Sequence, residues 1–145
     1  MRDIPFDAEV VINERTTVAT AYSMAQFFTP GGIDGTSPGL QNAADIAQNL
    51  VNLSDGDVSD FLNNSANTGT STSPTFNSLA NMLASCVRSE SNCDTLFELA
   101  TTPNGLTPAN TLRAISNIAR FPWQNVPQIF ALSQEETIYS PALAS

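Results

Sequence analysis

The chain has 145 residues, which fits one domain, and 41% of them are apolar, the usual level for a globular protein. Charged residues make up 13% and the net charge is −9, so phosphate backbones and anionic membrane surfaces would repel the chain. It contains no His and no Lys, which excludes a Ser-His-Asp triad and a Schiff-base lysine.

No stretch of the sequence is long and apolar enough to serve as a membrane span. Residues 1–6 also lack the apolar core of a signal peptide. The chain is therefore expected to be either cytosolic or a piece excised from a larger protein, and its cysteines help to choose between these.

An extended lead-in is predicted over residues 1–12, with a β-branched segment at residues 8–12 that is too short to form a strand alone. Asn13 suits the N-cap of a first helix. Pro30-Gly31-Gly32 ends that helix. Its apolar face is predicted from three- and four-residue spacing as Val18, Ala21, Tyr22, Ala25 and Phe28.

The second helix is predicted to begin with Ser37 as its cap and Pro38 in its first turn. Residues 52–73 read as a loop with at most one helical turn. The second half of that loop, residues 63–73, is rich in Asn, Ser, Thr and Gly and is expected to be mobile. The helix itself carries one apolar stripe, formed by Leu40, Ala43, Ala47, Leu50 and Val51.

Four further helices are predicted, and two begin at a hydroxyl residue followed by proline: Ser73-Pro74 opens the third and Thr107-Pro108 the fifth. The fourth begins near Ser91 or Asn92, and Asn125 caps the last. The residues expected to face inward are Phe76, Leu79, Leu83, Cys86, Val87, Cys93, Leu96, Phe97, Ala100, Leu112, Ile115, Ala119, Ile129, Phe130 and Leu132. The predicted fold is all-α: a compact bundle of five to six short helices over residues 13–132, followed by an extended tail over residues 133–145.

Cys86 is predicted to end the third helix and Cys93 to begin the fourth, with a six-residue turn between them. Such a turn can bring two cysteines within disulfide range. Two buried free thiols are the alternative, and a zinc site is disfavoured because zinc needs four ligands and no His is present. A structural disulfide would indicate an extracytoplasmic compartment: secreted, periplasmic or cell-surface.

Several short motifs resemble a helical region of large secreted bacterial proteins, where it lies near NHL-type β-propeller repeats or Ig-like surface modules. The first is Asn13-Glu14-Arg15-Thr16-Thr17-Val18-Ala19, similar to an NE-x-TTVA opening. Others follow in order over residues 39–43, 49–51, 79–87, 93–97 and 117–119, and the last is Tyr139-Ser140-Pro141-Ala142-Leu143. The resemblance implies an extracytoplasmic helical module of unassigned function, with bridged cysteines and no assigned catalytic residues.

Two groups of acidic residues and one Trp are the candidate site residues of the sequence. Asp55, Asp57 and Asp60 suggest a calcium loop, but the spacing fails because Asp60 and Ala66 stand where Gly and Glu are required. The paired carboxylates of a glycosidase are not expected, and the surface is the expected place for Glu90, Glu98, Glu135 and Glu136.

Trp123 lies in a predicted turn, where it either anchors a partner protein or packs over the end of the bundle.

The chain is therefore expected to be a non-catalytic, extracytoplasmic structural or interaction module, acting as a spacer or scaffold in a bacterial secreted or surface protein. No cofactor or metal is expected. The expected partners are neighbouring domains or another protein, without nucleic acid or membrane insertion. Two alternatives stay open: a self-associating adhesion or fibre subunit that pairs through residues 8–12 and 133–145, and a carboxylate-only hydrolase or apolar-ligand-binding bundle.

Overall fold

The computed structural model describes residues 9–64 and 70–144, and within them the chain forms six helices and one small hairpin. The all-α prediction and the helical bundle are confirmed. Parts of three predicted segments, namely residues 1–8 of the lead-in, 65–69 of the loop and 145 of the tail, lie outside the described residues. The helices are α1 (Glu14–Met24), α2 (Gly39–Leu50), α3 (Thr72–Arg88), α4 (Glu90–Leu99), α5 (Thr111–Arg120) and α6 (Val126–Ser133).

The start of α1 is the predicted one, since the side chain of Asn13 accepts a hydrogen bond from the backbone of Thr16 at 2.9 Å. The Thr16 hydroxyl in turn accepts from the backbone N–H of Asn13 at 2.8 Å. This reciprocal capping box satisfies donors that a helix N-terminus otherwise leaves unpaired. The sequence therefore places the entry of the chain into the bundle correctly.

The end of the first helical segment differs from the prediction. α1 ends at Met24, a 3₁₀ turn follows over Ala25–Phe27, and Phe28 lies in a two-residue strand, β1 (Phe28–Thr29), paired with β2 (Gly32–Ile33). Phe28 therefore does not lie on the helical face. Its ring packs against the guanidinium of Arg113 on α5, which is 4.9 Å from the ring centre. Arg113 also donates to the Thr29 carbonyl, which ties the hairpin to α5.

Three predicted helix starts are wrong by one to three residues. Pro38 precedes α2, and Ser37 makes no capping hydrogen bond. α3 begins at Thr72, so Ser73 and Pro74 lie inside its first turn. α5 is capped by Asn110, which accepts from the backbone of Arg113 at 2.9 Å, and Thr107 lies outside it. Proline is tolerated anywhere in the first turn, so a Ser-Pro or Thr-Pro pair fixes a helix start only to within one turn.

α3 is the central helix of the bundle, and every residue from Phe76 to Cys86 on it is buried. Its apolar side chains form the core with those of the surrounding helices. Several polar side chains are buried on α3 as well, among them Asn77, Ser78, Asn81 and Ser85. The core residues contributed by other elements include Val18, Ala21, Val51, Leu62, Leu96, Ala114, Ile115, Ile118 and Leu132.

The junction between α3 and α4 is shorter than the predicted six-residue turn. α3 continues through Arg88 and α4 begins at Glu90, so Ser89 alone separates them and caps α4 through its hydroxyl. Cys86 and Cys93 face each other across this junction, with their Sγ atoms 2.03 Å apart. The predicted pairing is therefore present, although the turn that carries it is a sharp break between two helices.

Candidate functional site

Arg15, at the start of α1, is the centre of a polar cluster that joins four parts of the chain. Its side chain is 12% exposed. Two of its guanidinium nitrogens donate to the Oδ1 atom of Asn77 at 3.0 and 3.1 Å, and a third pairs with Asp57 in the loop after α2. The plane of the guanidinium lies over the ring of Tyr139, 4.4 Å from its centre, an arrangement stabilised by the cation–π interaction.

Tyr139 closes this cluster from the C-terminal side of the chain. Its hydroxyl donates to the carboxylate of Glu14 at 2.7 Å. Burial and this hydrogen bond to the Glu14 carboxylate raise the pKa of Tyr139 to about 12, since both disfavour the charged phenolate. Tyr139 is therefore held as a neutral donor at ordinary pH.

α3 holds the tail, which we define as residues 134–144, through three buried polar side chains. Asn81 donates to the Tyr139 carbonyl at 2.9 Å and accepts from the Tyr139 N–H at 2.8 Å. Asn77 donates to the Pro141 carbonyl at 2.9 Å, and the Ser78 hydroxyl accepts from the Leu143 N–H at 2.9 Å. All of these contacts are made to the backbone of the tail, so they fix its path and register.

The sequence did not single out Asn77, Asn81 or Tyr139 as functional residues. The one available signal was the pair of Asn residues four positions apart on a helix that is otherwise rich in apolar residues. Such a pair lies on one helix face. The structure also brings together the first and last motifs of the family resemblance, because Glu14 and Arg15 contact Tyr139 directly.

The acidic loop after α2 lines an open cleft of about 620 Å³. Asp55 accepts hydrogen bonds from the Asp57 N–H and from the Asn52 side chain, both within the loop. Asp57 accepts from the Val58 N–H and pairs with Arg15 of α1. Asp60 lies at the rim of the same cleft. In the described part of the chain, no three His, Cys, Asp or Glu residues are placed to hold a metal ion.

The other candidate carboxylates are spread over α4 and the tail, where Glu135 and Glu136 are adjacent in sequence. Glu136 forms an ion pair with Arg88 at 3.3 Å. Glu90 and Glu98 are exposed at opposite ends of α4, and Glu135 is exposed in the tail. The cleft at the acidic loop includes none of these four residues.

Trp123 projects from the turn between α5 and α6 and is 69% exposed. The turn itself is well held. Asn125, in a left-handed conformation with φ of 50°, uses its side chain to donate to the Leu99 carbonyl at 2.9 Å rather than to cap α6. Trp123 also packs edge-on against Phe121, with ring centres 5.7 Å apart. The structure thus presents a large aromatic side chain to solvent from a fixed backbone.

An apolar cleft of about 170 Å³ is lined by Pro122 and Gln124, the two sequence neighbours of Trp123, and we call the cleft and this Trp together the Trp123 face. Its rim includes Pro122, Gln124 and Val126, and Val126 is 51% exposed. A cavity of roughly 150 Å³ accepts a benzene ring, so this cleft can hold one large apolar side chain. Its walls come from α3, α5, α6 and the tail: Leu79, Met82, Ile118, Ile129, Phe130 and Leu143.

The Trp123 face also lacks charge. Residues 121–134 contain no Asp, Glu, Lys or Arg, in a chain whose net charge is −9. Burying this surface against a partner therefore does not require the desolvation of ionised side chains from this segment, which is the large penalty at many interfaces.

No helix in the described residues is long and apolar enough to cross a membrane. Comparison of the chain with protein-family models, with curated proteins and with solved structures finds no match. The relation to the helical module of secreted bacterial proteins therefore stays a prediction, and the function is argued from the geometry alone.

Proposed function

We propose that this chain is a non-catalytic interaction module that binds another protein through the Trp123 face. The observation that carries the proposal is an exposed Trp on a fixed turn whose residues Pro122 and Gln124 line an apolar cleft of about 170 Å³. Energetically dominant interface residues are enriched in Trp and pair with pockets on the partner. The size of the cleft favours a single aromatic or aliphatic side chain of a protein partner over a larger ligand, because typical ligand pockets are about 300–1,000 Å³.

The path of the chain supports an interaction role over a role as a spacer. Asn77 contacts Arg15 through its Oδ1 atom and the Pro141 carbonyl through its Nδ2 atom. The start of α1 and the tail are therefore joined through the side chains of Arg15 and Asn77, so the points where the chain enters and leaves the bundle lie close together. A module with this arrangement projects sideways from its neighbours and adds little length between them, so it can present the Trp123 face to a partner.

We further propose an extracytoplasmic setting in a bacterial secreted or surface protein. The proximity of Cys86 and Cys93 supports this setting, because persistent disulfides are found mainly in oxidising compartments. The motif order that resembles the helical module of such proteins supports it independently. A non-catalytic role is supported by carboxylates that are engaged in the acidic loop or spread over the surface.

The proposal is tested by selecting peptides from a displayed random library against the purified chain. We expect the enriched peptides to share one large apolar anchor residue. Binding should shift the emission of Trp123, the single Trp of the chain, to shorter wavelength. Trp123→Ala should weaken binding by about thirtyfold or more, the effect of a hot-spot residue worth at least about 2 kcal/mol.

Leu106→Ala is the matched control, because Leu106 is a similarly exposed apolar residue at 65% and does not line the cleft. It should leave the affinity of the selected peptides unchanged. Peptides that bind equally well to the Trp123→Ala chain, or a selection that enriches no apolar anchor, would show that the Trp123 face is not the interaction surface.

A further inference from the structure

The described part of the tail is bound to α3 in the way that a peptide is bound by a receptor. Residues 139–143 of the tail are contacted through backbone N–H and carbonyl groups by Asn77, Ser78 and Asn81. These three side chains are 1%, 4% and 0% exposed. Without the tail, Asn81 would lose both of its partners on Tyr139 and Ser78 would lose the Leu143 N–H, while Asn77 would keep only its contacts with Arg15. This face of α3 therefore needs a docked segment to satisfy its buried polar groups.

Two side chains of the segment are also recognised. The Tyr139 ring lies against Arg15 and its hydroxyl reaches Glu14. Four residues later, Leu143 forms one wall of the apolar cleft. Ser140, between them, is exposed. The groove on α3 therefore accepts a segment that bends at residues 139–141, with Tyr at one position and Leu four positions further along.

We propose that this groove also accepts residues 139–143 from a second copy of the chain, so that two copies exchange tails. The contacts described above join the tail to α1, to α3 and to the apolar cleft, whose other walls come from α3, α5 and α6. Each is the same whichever copy supplies the tail. Only the link, residues 134–138, determines whether a tail binds the groove of its own copy or that of a second copy. It is held by turn hydrogen bonds to Ala131 and Leu132 and by the partly exposed ion pair between Glu136 and Arg88.

In the intact chain the link favours the chain's own tail. A short flexible link supplies a bound segment at an effective concentration on the order of millimolar. Exchange therefore requires a high local concentration of copies, as on a crowded surface, or a link that is too short to turn back. This mode of self-association does not use the Trp123 side chain, although Leu143 of the tail lines the cleft of the Trp123 face. The substitution Trp123→Ala therefore distinguishes it from the proposed function.

The experiment shortens the link by deleting residues 135–137. Removing three of the five link residues should prevent the tail from reaching its own groove. We therefore expect the shortened chain to be a dimer by light scattering at micromolar concentrations, where we expect the parent chain to be a monomer. Adding Tyr139→Ala and Leu143→Ala to the shortened chain should restore the monomer. Trp123→Ala in the shortened chain should leave the dimer intact.

Two controls separate exchange from loss of the ion pair and from misfolding. Glu136→Ala in the full-length link should remain monomeric, because it removes the pair with Arg88 without shortening the link.

In a second format, a protease site inserted in the link is cut, and a labelled peptide of residues 137–145 should displace the cut tail. The Leu143→Ala peptide should bind at least tenfold more weakly.

A shortened chain that stays monomeric, or a dimer that survives the Tyr139 and Leu143 substitutions, would overturn the exchange. Failure of the labelled peptide to enter the cut chain would overturn it as well. A dimer abolished by Trp123→Ala would instead assign self-association to the Trp123 face.

Discussion

The polar residues buried on α3 define the tail more precisely than apolar contacts could. Among the described residues, no buried side-chain nitrogen or oxygen lacks a hydrogen-bond partner. Asn81 pairs with both backbone groups of Tyr139, a two-point contact that a shift of the tail by one residue would break. An apolar groove would tolerate that shift, so these Asn residues give the docked tail a single register.

Replacing Asn81 by Ala tests how much the two hydrogen bonds to the Tyr139 backbone contribute to stability. The substitution leaves the N–H and carbonyl of Tyr139 without their partners, and we expect the free energy of unfolding to fall by about 1–3 kcal/mol. Urea denaturation measures the change, and limited proteolysis should show earlier cleavage in the tail. Asn42→Ala, at an exposed position on α2, should change stability by less than about 0.5 kcal/mol; equal effects at both positions would contradict this account.

The raised pKa of Tyr139 predicts a loss of stability at alkaline pH. Its pKa is about 12 in the folded chain and 10.0 in the unfolded chain, so the unfolded state releases its proton first as the pH rises. The contribution of Tyr139 is complete below pH 10 and is lost between pH 10 and about 12. Thermal unfolding between pH 8 and 12, followed in parallel for Tyr139→Phe, measures it.

The Phe variant should be less stable near neutral pH, because it lacks the bond to Glu14, and should decline less steeply above pH 10. Burial also raises the pKa of Tyr22, and that contribution is common to both proteins. Parallel curves for the two proteins would show that folding does not raise the pKa of Tyr139, through either burial or the hydrogen bond to Glu14.

At the scale of the elements, α1 and α5 are each capped by an Asn side chain, but the two caps make different contacts. Asn13 caps α1 and also donates to the Gly56 carbonyl at 2.9 Å, whereas Asn110 caps α5 through a hydrogen bond to Arg113 N–H. Gly56 has φ of 74°, and a Cβ atom there would clash with the Asn13 side chain. The N-cap of α1 is therefore also a tertiary contact.

Asn13→Ala should consequently lower the free energy of unfolding more than Asn110→Ala. The loss of an N-cap side chain is worth about 1 kcal/mol, which is our expectation for Asn110→Ala. Asn13→Ala also leaves the buried Gly56 without its partner, and we expect a total of about 2 kcal/mol. Chemical denaturation of both variants measures the difference, and a larger effect at Asn110 would show that the Gly56 contact contributes nothing.

The sequence predicts the helices and their apolar faces because both follow from local spacing. It predicts the starts less well, since Ser37 and Ser73 precede prolines that fit anywhere in a first turn. The hairpin at Phe28 was missed because Arg113, which holds it, lies far away in sequence. The docking of the tail was missed for the same reason: Asn77 and Asn81 bind residues about sixty positions away.

At the scale of the whole molecule, one covalent bond is expected to join α3 and α4. Chain prepared without reductant should contain no titratable thiol, and its mass should be lower than that of the reduced chain by two hydrogen atoms. Because the bridge closes a loop of about eight residues, the Cys86→Ala and Cys93→Ala double variant should be less stable by roughly 2.5 kcal/mol. Two freely reacting thiols under oxidising conditions would remove the main support for the extracytoplasmic setting.

The Trp123 face shows which part of a binding site a sequence can reveal. Trp123 could be named from the sequence as a candidate because it lies in a predicted turn, but the sequence left open whether it anchors a partner or packs over the end of the bundle. The cleft could not be recognised from the sequence, because its walls combine residues from α3, α5, α6 and the tail. Their proximity is a property of the assembled bundle and has no local signature.

The bridging of Arg15 and Pro141 by Asn77 bears on how the module responds to mechanical tension. A pull that separates the flanking chains acts at one corner of the bundle, where the tail contacts are arranged one after another along α3. Contacts loaded in succession yield at lower force than contacts loaded together. The tail should therefore peel away first, removing Leu143 from the cleft while the disulfide still holds α3 to α4. In a surface protein under shear, tension would thus uncover the α3 groove before the helices separate.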